Sequence, residues 1–172
     1  YAMKKYFLPA VAMTALLTSG CSYQAPVESV QNINVYSSYE GKIRGTFDLI
    51  INIDPGLAKR GIKPTSYICG LHHYPVDVQA PVKSSVYSAT EKIFEQINER
   101  SDIPSPERMA AEDKAGYIIV RLKEFEPSIS FTPGFFTDTA HASCESGLEV
   151  EIRDSRNRTV FETAVSGNRS ST

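Results

Sequence analysis

The sequence predicts an α+β domain, a mainly antiparallel sheet of four to five strands with one long helix packed on one face. Three observations point there. Two-residue alternation of apolar and polar side chains recurs over 42–54 and 139–153, the patterning of strands with one buried face, and 117–125 reads as a further strand in which Ile119 suggests burial on both faces. A single long stretch, 81–100, instead places apolar residues at helical spacing. The length of 172 residues leaves room for one ordinary domain. Apolar residues at 41% and charged residues at 22% exclude a collagen-like, coiled-coil or highly charged disordered chain. A net charge of −2 lacks the basic surplus of a nucleic-acid binder.

Along the chain, Ser22 to Gln31 is polar, holds Pro26 and shows no period, as a tether would. In Lys42–Asp54, residues Ile43, Phe47, Leu49, Ile51 and Ile53 share one parity. Arg44, Thr46, Asp48 and Asn52 share the other, where Ile50 is the apolar exception, so a half-buried strand is expected. Asp54-Pro55-Gly56 ends it with turn residues, and 57–65 reads as loop. Ser66–Val78 is strand-like but carries Gly70 and Pro75, the mark of an edge or bulged strand.

The helix is expected over Pro81–Arg100, with Val82, Val86, Ala89, Ile93 and Ile97 on its apolar stripe. Pro81 suits a first turn, and Ser88 with Glu91 also fits a capping box, so two starts stand open. Ser105-Pro106 can cap a short helix running to Glu112. Tyr117–Phe125 is a strand centred on Ile118, Val120 and Leu122. A Pro133-Gly134 turn separates Phe131 from Phe135 and Phe136, and Thr139–Arg153 alternates Ala140, Ala142, Cys144, Leu148, Val150 and Ile152. The five residues Asp154–Arg158 then join it to Thr159–Ser166 as a hairpin. One helix cannot readily cover four or five strands, so a further helix beyond the C-terminus is expected.

At the other end, Lys4 and Lys5 precede an apolar run from Phe7 to Leu17 and the small residues Thr18, Ser19 and Gly20. This is the layout of a secretory signal, too short in its apolar core to span about 30 Å of hydrocarbon. Tyr1 and Ala2 precede Met3 and stay outside the argument. Leu17-Thr18-Ser19-Gly20-Cys21 resembles the lipobox of bacterial lipoproteins, though Leu17 stands four rather than three residues before the cysteine. The resemblance implies a signal peptide at 1–20, acylation of Cys21 with lipid such as palmitate, a tether at 21–31 and one periplasmic domain at 32–172. Ser22 follows the cysteine where an inner-membrane retention signal would have Asp, so the resemblance implies the outer membrane. Strands and helix in this order, around the phrase AGYIIVRLKEFEPS, are similar to small envelope lipoproteins of the YajG and ABC-transport-auxiliary kind. That similarity implies a domain assisting envelope assembly or transport and transfers no active-site residue.

With Cys21 acylated, Cys69 and Cys144 remain, and export would place them in an oxidising compartment where a bridge is expected. Closing that loop of about 75 residues is worth on the order of 4 kcal/mol in the chain-entropy model.

Catalytic signatures are missing from the sequence: it contains no GxSxG, HExxH, P-loop, CxxC or GxGxxG. His72, His73 and His141 lie near the cysteines in sequence and define the rival expectation, a membrane-tethered metal-binding protein or hydrolase. Adjacent residues on a strand point to opposite faces, however, so His72 and His73 would not share one metal. Glu124/Glu126 and Glu149/Glu151 are spaced as solvated strand faces. Phe131, Phe135 and Phe136 form the candidate contact surface, for a partner or for the membrane interface. The leading expectation is a non-enzymatic, lipid-anchored protein that binds another envelope component, with no cofactor, no metal and no nucleic acid.

Overall fold

The computed structural model describes residues 41–67, 70–134 and 138–171. The signal peptide, Cys21 and the tether lie outside them. The order of elements is β1 (Ile43–Asn52), α1 (Pro55–Ala58), β2 (Lys59–Ile62), β3 (Tyr74–Asp77), α2 (Gln79–Ile93), β4 (Phe94–Arg100), α3 (Pro106–Ala111), β5 (Gly116–Thr132), β6 (Thr139–Asp154) and β7 (Thr159–Ser171). Five strands form a mixed sheet in the order β4-β1-β5-β6-β7, and β2 with β3 forms a separate two-stranded ribbon. β1 runs parallel to both β4 and β5, whereas β5, β6 and β7 are antiparallel.

This corrects the expected fold. The sheet is mixed rather than mainly antiparallel, and among the described residues three helices of 4, 15 and 6 residues stand in place of one long helix. The difference arises within 81–100. Helix α2 stops at Ile93, and the chain continues directly into β4, which pairs in parallel with β1. Phe94 sits at the helix–strand junction with extended backbone, and both Phe94 and Ile97 pack into the cluster that α2 covers. Their three-residue spacing therefore extends the helical stripe into a strand. The helix start is also settled: Asp77 accepts from Gln79 N–H at 3.0 Å, and Pro81 lies in the first turn. Among the described residues of 66–78, strand structure is confined to Tyr74–Asp77, and the expected loop at 57–65 contains the end of α1 and all of β2.

The sheet divides the molecule into two sides. On the first, Phe47, Leu49, Ile118 and Val120 pack with Val86 and Phe94, and Ile51, Val82, Ile97, Leu148, Val150 and Ile152 border them. Each such fully buried side chain contributes about 1.5–3 kcal/mol relative to exposure. Farther along β5, Leu122 and Phe125 pack with Ala58, Val76 and Val78 beneath the ribbon. On the second side, α3 lays Met109 against Ile50, Tyr117 and Ile119. β1 is thus buried on both faces over Phe47–Ile50, not on one. Gly45, with φ +103°, lies where the β1–β4 register shifts. Gly116 opens β5 so close to β6 that a Cβ there would lie 2.1 Å from the Arg153 carbonyl oxygen. Only glycine permits that approach.

Candidate functional site

β5 and β6 outrun their neighbours. β1 covers the edge of β5 only as far as Arg121, while the β5–β6 hairpin continues to the Thr132↔Thr139 pair. The exposed edge of this distal half is occupied by the segment around the ribbon. Arg60 Nη1 donates to the Phe125 carbonyl at 3.0 Å, Thr65 N–H to the Ile129 carbonyl at 2.9 Å, and Phe131 N–H to Ser66 Oγ at 2.9 Å. The tilted rings of Tyr74 and Phe131 pack with centroids 5.7 Å apart. Burial pushes the Tyr74 hydroxyl above its ordinary pKa. Ser66 therefore fixes the turn that follows it against the hairpin end. In that turn Gly70 N–H reaches the Tyr67 carbonyl, and Tyr67 and Leu71 are 103% and 92% exposed. Two large apolar side chains are thus held in water on a turn whose leading residue, Ser66, is bonded to Phe131.

Of the expected contact residues, Phe131 lies in this end as one of its anchors, and Phe135 and Phe136 lie outside the described residues. Tyr67 and Leu71 were missed by the sequence reading. Strand-like patterning in 66–78 suggested that they lie along a strand rather than on a turn.

Cys144 is a free, half-buried thiol on β6, opposite Pro127, and Cys69 lies outside the described residues. Burial, then the neighbouring Glu145 carboxylate, raises the Cys144 pKa. His72 and His73 are exposed and precede β3, so they do not sit on a strand as expected. His141 pairs with Ser130, on the opposite face of β6 from Cys144. Among the described residues no three His, Cys, Asp or Glu side chains gather as a metal-binding group. Glu149 and Glu151 do share a face, where they meet cations: Arg121 Nη1 lies 2.7 Å from Glu149 and 3.1 Å from Glu151, and Lys123 lies 2.9 Å from Glu149. Arg153 Nε closes on Glu151 at 2.6 Å, and Thr159 adds a hydrogen bond at 3.0 Å.

The most deeply buried charge was not foreseen as such. Asp48 is 1% exposed. Arg100 Nε lies 3.0 Å from its Oδ2 and Lys114 Nζ 2.9 Å from its Oδ1, as charge pairs without the alignment of hydrogen bonds. Arg100 also donates to Glu112 at 2.8 Å, and Glu112 accepts from Arg108 at 2.9 Å. The cluster ties β1, β4 and the residues flanking α3 together, so its evident work is structural.

No family model matches the chain, and no curated protein matches it. Solved structures match weakly. The lipoprotein GNA1162 from Neisseria meningitidis matches at 10% identity and a TM-score of 0.37, over 73% of this chain and 84% of that one. A neuraminyllactose-binding hemagglutinin homologue from Helicobacter pylori matches at 9% identity and 0.37, over 79% and 69%. A minor lipoprotein from Acinetobacter baumannii matches at 10% identity and 0.31, over 76% and 68%. At these scores no residue and no activity is carried across.

Proposed function

We propose that this chain is a lipid-anchored protein of the bacterial envelope whose folded domain is a non-enzymatic binding module. The observation that carries the anchoring is Cys21, placed directly after a basic n-region, an apolar stretch and three small residues. Acyl chains there, at about 0.8 kcal/mol per buried CH₂, hold a protein to a membrane without a spanning helix. Among the described residues no helix is long and apolar enough to cross a membrane. The binding role rests on the exposed turn carrying Tyr67 and Leu71, fixed on the end of the β5–β6 hairpin. A protein component of the envelope is the partner this surface fits, because an aromatic and an aliphatic side chain on a braced turn supply the anchors typical of protein contacts. The outer membrane is the site that Ser22 after Cys21 favours.

The binding role is tested by replacing Tyr67 with a photoreactive phenylalanine in the full chain in intact cells. A discrete cross-linked protein is expected from position 67, and none from an exposed control at Glu107 on α3. Identical products from both positions, or none from position 67, would exclude this turn as the contact surface.

A further inference from the structure

The two edges of the main sheet are unlike. β4 is seven residues long and carries Glu95, Glu99 and Arg100, the charges that discourage pairing of an edge with another chain. β7 is thirteen residues long, and over Thr159–Gly167 it holds no Lys, Arg or Pro and a single charge, Glu162. Its pairing with β6 shifts register once, at Val160 between the Arg153↔Thr159 and Ile152↔Phe161 pairs, and is regular from there to the Ala142↔Ser171 pair, so no bulge interrupts the edge beyond Phe161. Among the described residues β6 is the only strand beside β7, which leaves one row of its backbone donors and acceptors facing outward. Phe161 and Val165 lie opposite Ile152 and Leu148, hence on the side of the sheet that α2 covers, yet they are 50% and 55% exposed. α2 covers the β4-β1-β5 part of the sheet and stops short of them.

We infer that β7 pairs antiparallel with β7 of a second copy of this chain, about a two-fold axis at Thr163. The sequence of the edge is self-complementary in that register. Thr163 faces Thr163 of the second copy, and Phe161 of each copy faces Val165 of the other. A Thr–Thr pair and two aromatic–β-branched pairs on one face are favourable cross-strand combinations. On the opposite face Glu162 meets Ala164, so no like charges stand directly opposed. The apolar side chains that α2 leaves bare become one stripe shared by two copies, and the exposed backbone row is satisfied without a further element. The interface is isologous, as a closed dimer requires.

The test is Thr163→Cys in the full chain, oxidised in intact cells, with linked peptides identified by mass spectrometry so that native cysteines do not confuse the result. A covalent dimer joined through residue 163 of both copies is expected. Adding Phe161→Lys or, separately, Val165→Lys should lower that product about tenfold while leaving the circular dichroism spectrum unchanged, since both side chains are half exposed. Two lysine variants guard against one of them failing to fold. Absence of the 163–163 link, a dimer that both folded lysine variants leave undiminished, or a link formed through Val165→Cys but not Thr163→Cys would overturn the inference.

Discussion

Asp48 shows how one residue can be read correctly in pattern and wrongly in environment. It has the parity of the polar residues of β1, but Ile50, two residues on, brings Met109 down onto the same face and encloses it. In that setting the carboxylate lies 3.0 Å from Arg100 Nε and 2.9 Å from Lys114 Nζ. Removing one member of a buried charge cluster leaves the others unpaired, which costs far more than the cluster is worth against apolar substitutes. Asp48→Asn is isosteric and should still destabilise the fold by about 3–5 kcal/mol, read as a lower urea midpoint at unchanged slope. A loss below about 0.5 kcal/mol, the level of an ordinary surface change, would show that Arg100 and Lys114 find water instead.

Elements differ in how much of them lies in local sequence. Helix α3 was legible because its signals are local: Ser105 caps by accepting from Arg108 N–H at 3.3 Å, Pro106 occupies the first position, and Glu112 ends the helix. Its packing is equally concentrated, since Met109 is the residue it buries fully. Met109→Ala should cost about 2–5 kcal/mol through the cavity left over Ile50, Tyr117 and Ile119, measured by thermal or urea unfolding. β4 was not legible, because what makes it a strand is its parallel pairing with β1, fifty residues away at Thr46↔Gln96. No spacing rule within 81–100 contains that partner. The β5–β6–β7 hairpins lie between, as their alternation and the Asp154–Arg158 turn were plain, while their lengths, carried on past Phe125 and Ser166, were not.

The same hairpins set the response to acid. Arg153, Thr159 and Arg121 hold Glu151 below the ordinary glutamate value of 4.5 against an opposing cost of burial. Lys123 and then Arg121 do so for Glu149. The Arg158 backbone N–H and side chain hold Asp154 below 3.8. A carboxyl with a depressed folded pKa contributes stability above its unfolded value and loses it as pH falls through the folded one. Unfolding free energy should therefore decline as pH drops below about 4.5 and go on declining below 3.8. Urea titrations between about pH 6 and pH 3, the span of carboxylate titration, read this out. A flat profile would mean that these pairs are equally formed in the unfolded chain.

At the scale of the whole molecule, the account joins an N-terminal anchor to a domain with a braced apolar end and an open sheet edge. The anchor proposed at Cys21 rests on sequence alone, because acylation reads a short linear motif rather than a fold. The proposed contact residues Tyr67 and Leu71 were not legible in sequence, because the turn that exposes them follows Ser66, which is bonded to a strand end sixty-five residues away. The central claim is that Cys21 holds the protein to a membrane, and labelling with radioactive palmitate in a bacterial host tests it most directly. The account predicts label in the membrane-bound wild-type chain and none in Cys21→Ser, which should accumulate unprocessed or leave the membrane fraction. Label retained at the wild-type level in Cys21→Ser, or a wild-type chain that takes up none, would contradict it.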